Sequence, residues 1–513
     1  MRKLIIGGMI LLGALAFASF GEAATFQKNI WGASAQYQLY SETIPGLLTT
    51  TLGCPAANYS AGTTLYDDTG KSIWFKATGC TGGNTYIFDL NAKASYDGVL
   101  ALEGSAHPQD KQNAHENYIF CDPATFSQAN TTCLPGQAGD HCNYAYRVMT
   151  DPNGTVSLTF PCSTLFNNGA TDSYCPNASG YSNAFNVACN QIDIVLSDVN
   201  PSSFTQTTPG TVAGSSTSVA VPNGRNFPTY YADGVPTPGS ANTYNPMVVP
   251  FGFFVHNDVT LSTCSGSYDH QLDGQQCSTL AECQVTGHVT GSEACNSAQL
   301  TNISRIQVLQ IMSGQAVLWT DFGLGYGSGN GDQITLCARD AGSGTHATLT
   351  YGILREAAAG APGIGNYFVG SWAPALTIYN DSTTPLMFCV SNTSGAIGYA
   401  DADNALSTPS QGGTTYTGAV PMSYEGVYPN RRSIRNGVYD NFYSEEWVFE
   451  STTTPDYTAN TTLWGNFMTA VSNGSALNST TRANFWASLD EMVFMKSADY
   501  TYPTYIAPET VAP

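Results

Sequence analysis

The sequence predicts an α/β fold in which mixed sheets are flanked by helices and interrupted by cysteine-rich loop or β insertions. Strand-like segments alternate with helix-like segments through much of the chain, which is the pattern of sheets covered by helices. Two cysteine-rich segments, about 104–190 and about 260–297, break that alternation. No internal repeat of fixed period is visible. A chain of 513 residues is long enough for two or more domains.

Three segments run from a strand through small residues into the start of a helix. TFQKNIWGASAQYQLY predicts a strand, a turn at 32–35 and an amphipathic helix. TYIFDLNAKASYDGVLAL predicts a strand at 86–90 and a helix from Ser95, and ITLCARDAGSGTHATL repeats the pattern around Arg339. Because a helix start leaves backbone N–H groups unpaired, three such joints together predict a converging anion site.

The remaining elements follow in chain order. NQIDIVLSDVN predicts a buried strand that ends at Asp198, MVVPFGFFVHNDV a second buried strand, and NISRIQVLQIM a helix followed by a tryptophan turn. PLMFCVSNTSGAIGYADAD predicts a helix leading into a strand, and GVYDNFYSEEWVF predicts another strand. The tail segments TTLWGNFMTAVSN and TRANFWASLDEMVF both have helical spacing of their large apolar residues. We expect Trp319 and the tail aromatics to lie in the core.

The N-terminal residues predict export. Met1-Arg2-Lys3 precedes an apolar run at 4–20 and then small residues, which is the pattern of a secretory signal peptide cleaved after Ala23. The apolar run is too short for a membrane anchor. We therefore expect 1–23 to be a signal peptide and the mature protein to be periplasmic or extracellular, without membrane insertion.

Export makes the 14 cysteines disulfide partners rather than metal ligands or redox thiols. They fall into even groups at 54 and 80, within 121–189, within 264–295, and at 337 and 389. We predict bridges within each group, with Cys54–Cys80 and Cys337–Cys389 as the simplest pairs. Connectivity inside the two larger groups stays open.

The charge balance excludes some partners and leaves others. A net charge of −21 and a pI near 4.4 argue against nucleic acid and anionic membranes, since both need a basic patch. A small anion in a buried pocket is still allowed. No nucleophile elbow, HExxH motif or phosphate-binding loop occurs. We therefore expect a non-enzymatic protein without a cofactor or metal.

Arg339 is the strongest candidate for a ligand-binding residue. A guanidinium offers five donors in a rigid fork that matches a tetrahedral oxyanion, and it stays charged at any relevant pH. Ser343, Gly344 and Thr345 follow at the right distance to open a helix whose hydroxyls and N–H groups would complete an anion cradle. The alternative is an ordinary helix cap. A nucleophile–base pair of Ser343 with His346 is disfavoured, because a histidine in the first helical turn usually points to solvent or packs locally.

Asp198 is the second candidate. A carboxylate accepts a hydrogen bond from a protonated anion such as hydrogen phosphate, and it repels a fully ionised anion such as sulfate. The alternatives are a turn cap before Asn200-Pro201 for Asp198 and a helix cap for Ser95.

The order of these segments resembles the periplasmic phosphate-binding proteins of phosphate ABC transporters. The resemblance runs along most of the chain and lies in GASAQY, KASYDGVLAL, IDIVLSD, VVPFGFFVHNDV, IQVLQIMSGQAVLWTD, RDAGSGTHATL and GAIGYAD. It implies the two-lobe fold of type II periplasmic binding proteins, with lobe 1 at 24–252 plus 405–513 and lobe 2 at 253–404. It also implies an anion closed between the lobes, where the loss of water strengthens charge-assisted hydrogen bonds.

The resemblance carries a set of phosphate contacts onto this chain. They are Gln36 and Tyr37 as main-chain donors, Ser95, Asp198, Arg339, Ser343, Gly344 and Thr345. The chain departs from the family pattern in three ways. Gln36 replaces a small hydroxyl residue, Asp340-Ala341 reverses the usual Ala-Asp order, and the cysteine-rich insertions have no counterpart in the ordinary transporter component.

The resulting hypothesis is an exported, monomeric solute-binding protein that captures phosphate or a related oxyanion, with an ABC permease as its partner. One alternative is an extracellular structural or interaction protein that keeps the fold while its insertions bind a partner. A third reading is a phosphate-ester hydrolase acting through Ser343.

Overall fold

The computed structural model describes the chain in segments. These are residues 23–64, 71–92, 94–103, 120–121, 123, 126, 143–153, 156–161, 182–204, 207–208, 230–231, 239, 241–339, 342–355, 377–380, 382–459, 461–471 and 474–506. The expected signal peptide, apart from Ala23, lies outside the described residues, as do the Asp340-Ala341 pair and four of the cysteines. No helix in these segments is long and apolar enough to cross a membrane.

Helices and strands alternate along the chain. The helices are α1 (Tyr37–Gly46), α2 (Ser95–Glu103), α3 (Arg305–Met312), α4 (Gly344–Leu349), α5 (Thr383–Asn392), α6 (Arg431–Arg435), α7 (Pro455–Ala459), α8 (Thr461–Val471) and α9 (Gly474–Asn478). The strands are β1 (Thr25–Gly32), β2 (Tyr59–Gly62), β3 (Ser72–Ala77), β4 (Thr85–Ala92), β5 (Phe120–Cys121), β6 (Asn143–Thr150), β7 (Val156–Pro161), β8 (Ser182–Gln191), β9 (Ile194–Ser197), β10 (Thr207–Thr208), β11 (Tyr230–Tyr231), β12 (Ala241–Tyr244), β13 (Val248–His256), β14 (Thr260–Ser265), β15 (Ala294–Gln299), β16 (Asn302–Ile303), β17 (Tyr326–Gly327), β18 (Thr335–Arg339), β19 (Thr377–Asn380), β20 (Ala396–Asp401), β21 (Ala419–Pro421), β22 (Ser423–Tyr424), β23 (Tyr443–Glu445), β24 (Trp447–Ser451), β25 (Phe494–Met495) and β26 (Thr504–Tyr505). The α/β class predicted from the sequence is confirmed.

The first large sheet has the strand order β12-β24-β9-β1-β4-β3-β2. β1 is parallel to both β4 and β9, whereas β24 and β3 are antiparallel to their neighbours. Parallel neighbours end at the same edge of the sheet. The loops after β1, β4 and β9 therefore meet at one edge, and these are the loops that the sequence singled out.

Gly32 shows why small residues follow β1. Its φ of +131° lies in a region that favours glycine, and an added Cβ would lie 2.1 Å from the Leu196 carbonyl oxygen. The next residue, Ala33, donates its N–H to that same oxygen at 2.8 Å. The glycine thus lets the end of β1 lie directly against β9.

The second large sheet has the order β19-β18-β20-β13-β21, and β23 also pairs with β13. β18 is parallel to β19 and β20, and β13 is antiparallel to β20. Every residue of β13 except the last is buried, as its uniformly apolar sequence predicted. In the described part of the chain, β12 of the first sheet leads directly into β13 of the second, and β23 beside β13 leads back into β24.

The cysteine-rich segments form separate small sheets. β5, β6, β8 and β7 make a four-stranded sheet that includes the Cys121–Cys189 bridge, and β15, β14 and β17 make a three-stranded sheet. The latter carries the bridges Cys264–Cys283 and Cys277–Cys295. The predicted pairs Cys54–Cys80 and Cys337–Cys389 are both present. Pairing within groups is therefore confirmed for the ten described cysteines.

The C-terminal tail corrects one prediction. α8 forms as expected, and Trp464 and Trp486 are fully buried in the core together with Trp319. The segment 481–494 is not a helix, however, but a series of turns with a short 3₁₀ turn at Leu489–Glu491. Ala487 exchanges two backbone hydrogen bonds with Val248 of β13, at 2.7 and 3.1 Å. Pairing with this buried strand replaces the helix that the apolar spacing suggested.

Candidate functional site

Arg339 is the last residue of β18 and is buried, with 2% of its surface exposed. Its backbone N–H donates to the Tyr399 hydroxyl at 3.0 Å, and its guanidinium Nη1 donates to the Thr383 hydroxyl at 3.2 Å. The strand end therefore holds a permanent positive charge inside the protein, where the low dielectric strengthens its interactions.

Ser343 caps the helix that follows. Its Oγ accepts a hydrogen bond from the N–H of His346 at 3.2 Å, so the helix-cap interpretation is correct for this side chain. The imidazole Nδ1 of His346 lies 2.5 Å from the Tyr399 hydroxyl. Burial, and then the nearby charge of Arg339, lower the pKa of His346 to about 3. The imidazole is therefore neutral at physiological pH and leaves Arg339 as the cation at this helix start.

The loops of the two large sheets meet at Asp198. The Asp198 N–H donates to the Ser95 hydroxyl at 3.2 Å, and the Thr345 hydroxyl donates to Asp198 Oδ2 at 3.1 Å. A backbone hydrogen bond of 3.2 Å runs from Tyr96 to Gly342. Ser95, Asp198 and Thr345 are thus brought together from three separate strand ends, each at most 3% exposed.

Gly344 lies at the closest approach between these loops. An added Cβ would lie 2.6 Å from both the Asp198 Cβ and the Ser95 Oγ. We expect Gly344→Ala to lower the free energy of unfolding by about 1–3 kcal/mol, because the loops must separate to make room. Urea unfolding measures the change. Gly465→Ala on α8 is the control, since its Cβ would meet nothing within 4 Å; equal effects of the two substitutions would contradict the packing argument.

The Gln36 side chain and the Tyr37 N–H of the first loop both make hydrogen bonds within the protein. The Gln36 side chain is buried and its Nε2 donates to the Trp447 carbonyl at 2.9 Å. The Tyr37 N–H donates to the carbonyl of Ser34. The hydroxyl that this loop brings near Arg339 belongs to Ser34, whose Oγ lies 2.9 Å from the Oγ1 of Thr383.

Sequence reasoning missed several residues of the site. Thr383 begins α5 directly after β19, so the same strand–loop–helix pattern could have identified it. Lys71 is one of only 17 basic residues; its Nζ donates to Asp401 Oδ2 at 3.1 Å and to the Ser34 carbonyl at 3.2 Å. Lys71 directly precedes β3 of the first sheet and Asp401 ends β20 of the second, so no local pattern links them.

The groups around Asp198 shift its pKa in opposite directions. Burial raises the pKa of Asp198 to about 7, and the negative charge of Asp401 adds to that effect. The charge of Arg339 and hydrogen bonds from Thr345 and Glu446 act in the other direction. Asp198 is therefore a carboxyl group that changes its protonation near neutral pH.

A metal site is not formed by the cysteines that cluster in the second insertion. The sulfur atoms of Cys264, Cys277 and Cys283 lie within 4.8 Å of one another. All three are in disulfide bonds and so offer no thiolate ligand.

Comparison with known proteins gives only partial matches. No protein-family model and no curated protein matches the chain. An ABC-type phosphate transport receptor from Vibrio cholerae is 14% identical, with a TM-score of 0.28 over 56% of this chain and 76% of that one. PstS from Borrelia burgdorferi is 14% identical, with a TM-score of 0.25 over 46% and 71%. A DING protein is 12% identical, with a TM-score of 0.32 over 58% and 77%.

Proposed function

We propose that this chain binds phosphate, or a closely related oxyanion, between its two large sheets. The observation that carries the proposal is a buried cluster in which the Asp198 carboxyl accepts from the Thr345 hydroxyl, the Asp198 N–H donates to the Ser95 hydroxyl, and the charge of buried Arg339 acts on that carboxyl. A site that combines one fixed positive charge, several hydroxyl donors and one acceptor suits an anion that still holds a proton.

The role of each residue follows from its chemistry. Arg339 would donate to the anion, helped by the hydroxyls and N–H groups of the 343–345 helix start and by Ser95. The main-chain donors of Gln36 and Tyr37 belong to the same proposed set. Asp198 would accept the proton of hydrogen phosphate as a hydrogen bond, and it would repel sulfate, which has no such proton.

The proposal extends to the whole protein. The lobes would be 24–252 plus 405–513 and 253–404, and they would close over the anion. The protein would be exported by a signal peptide at 1–23 and would act as a monomer without catalysis, delivering its ligand to an ABC permease. The disulfides support an oxidising compartment, since such bridges persist outside the cytosol.

Calorimetric titration of the purified mature protein with phosphate, arsenate, sulfate and molybdate tests the proposal. We expect phosphate and arsenate to bind and sulfate to bind at least about a hundredfold more weakly, because its fully ionised oxygens would face the Asp198 carboxylate. A folded protein that binds none of the four anions would overturn the proposal and favour the structural or interaction role.

A further inference from the structure

Glu446 lies where the chain crosses between the two large sheets. It joins β23, which pairs with β13, to β24, which pairs with β9 and β12. Its N–H donates to the Met247 carbonyl at 2.9 Å, and its own carbonyl accepts from Asn245 Nδ2 at 3.0 Å. Both partners lie on the other crossing segment, so the backbone of Glu446 is held at the junction.

The Glu446 side chain is completely buried. As a carboxylate, neither of its oxygens finds a hydrogen-bond donor among the described residues, and the same is true of Oδ1 of Asp198. A buried carboxylate without donors is strongly unfavourable. The antiparallel register of β24 on β9 sets Trp447 opposite Ser197, so the adjoining residues Glu446 and Asp198 are neighbours, and a hydrogen bond from Glu446 acts on the Asp198 carboxyl. Two acids form such a bond only when one of them holds a proton.

We propose that Glu446 is a protonated carboxylic acid that donates to Asp198 and thereby holds Asp198 as the carboxylate that accepts the proton of the bound anion. Glu446 is a positioning residue in this arrangement, since it acts through Asp198. The inference rests on the proposed function for the identity of the anion. The acid–carboxylate pair itself needs no ligand.

The surroundings favour this assignment of the proton. Burial, followed by the negative charges of Asp198 and Asp401, raises the pKa of Glu446 well above its usual range, while the nearby polar side chains of Ser444 and Gln36 act against that rise. Asp198 is the partner that faces Arg339, whose charge favours its ionised form. Lys71 is paired with Asp401. Of the two acids, Glu446 therefore keeps the proton more firmly.

Ser444, two residues before Glu446, also contacts the Asp198 loop. Its hydroxyl donates to the backbone carbonyl of Asp198, and Trp447, on the other side of Glu446, accepts from Gln36. Residues 444–447 thus contact the Asp198 loop and the first loop together. Glu446 lies between these two contacts and is therefore placed to act on Asp198.

The pair is tested first in phosphate-free protein by carbon-13 NMR of the side-chain carboxyls between pH 4 and 9. We expect Glu446 to be protonated at pH 7 and Asp198 to titrate near that pH. An ionised Glu446 at pH 7 would overturn the inference whether or not the protein binds phosphate, and this measurement needs no variant.

Two variants then connect the pair to binding. Glu446→Gln keeps a donor for Asp198, so we expect phosphate affinity within about twofold of wild type and an unchanged pH profile. Glu446→Leu removes the donor, and we expect phosphate affinity at pH 7 to fall about tenfold, the worth of one hydrogen bond to a charged group. The loss should shrink as the pH rises to 9 and Asp198 ionises without help.

The outcomes separate the two proposals. Equal losses in Glu446→Gln and Glu446→Leu at all pH values would mean that Glu446 is merely structural, and the inference would fail. If wild-type protein shows the proton on Glu446 but does not bind phosphate, the proposed function fails while the acid pair stands.

Discussion

Replacing Arg339 with alanine is expected to weaken phosphate binding by about 200- to 5,000-fold, which corresponds to about 3–5 kcal/mol. The guanidinium is 2% exposed, so its contacts with an anion would form in a site where water does not compete. Without the guanidinium, the anion would face the Asp198 carboxyl with no positive charge at position 339 to compensate the repulsion. Calorimetric titration at pH 7 measures the loss.

Two further variants sharpen this test. Arg339→Lys keeps the charge but loses the two-pronged donor geometry, so we expect an intermediate loss of affinity. Arg435→Ala removes the same charge from a side chain that is 41% exposed and lies 3.9 Å from Glu491, and it should leave binding unchanged. If Arg339→Ala folds, as judged by its circular dichroism, and still binds phosphate like Arg435→Ala, the proposed site is wrong.

The parts of the site that the sequence predicted are those with a local signature. Arg339 and the 343–345 helix start are contiguous, and a strand end followed by small hydroxyl residues and a helix can be recognised without knowing the fold. Ser95 and Asp198 also follow strands, and the parallel arrangement of β1, β4 and β9 brings their loops to one edge. The structure places Ser95, Asp198 and Thr345 in direct contact.

The residues that the sequence did not reveal depend on pairing between distant segments. Glu446 follows a short strand whose partner, β13, lies about 200 residues earlier, and nothing in SEEWVF distinguishes it from an exposed acid. Lys71 meets Asp401 across 330 positions. The helix predicted for 481–494 does not form for the same reason. Ala487 pairs with Val248, and this tertiary contact overrides the local apolar spacing.

The second large effect concerns Asp198 and stability. Burial raises the pKa of Asp198 from 3.8 to about 7, so the folded protein keeps this proton between about pH 4 and 7 while the unfolded chain loses it. The folded state then binds more protons than the unfolded state, and the free energy of unfolding must fall as the pH rises through that window. Above pH 7 the folded protein carries the full cost of an ionised buried acid.

Asp198→Asn removes that cost while keeping a side chain of the same shape and an oxygen that accepts from Thr345. In phosphate-free buffer at pH 8 we expect the variant to be more stable than wild type by about 2–4 kcal/mol. The difference should be small at pH 4 and vanish below it, once Asp198 is protonated in both states. His346, whose lowered pKa makes acid pH unfavourable for folding, is present in both proteins and cancels from the comparison.

Thermal and urea unfolding between pH 4 and 8 measure this difference, and Asp490→Asn, which removes an exposed carboxylate, is the control and should follow wild type. A variant that is less stable than wild type at pH 8 would show that the contacts of the Asp198 carboxylate stabilise the folded state by more than its burial destabilises it. The expected gain in stability should accompany a loss of discrimination, since asparagine no longer repels sulfate. If the Asp198→Asn protein is more stable and also binds sulfate, the buried Asp198 lowers the stability of the wild type but is needed to select a protonated anion.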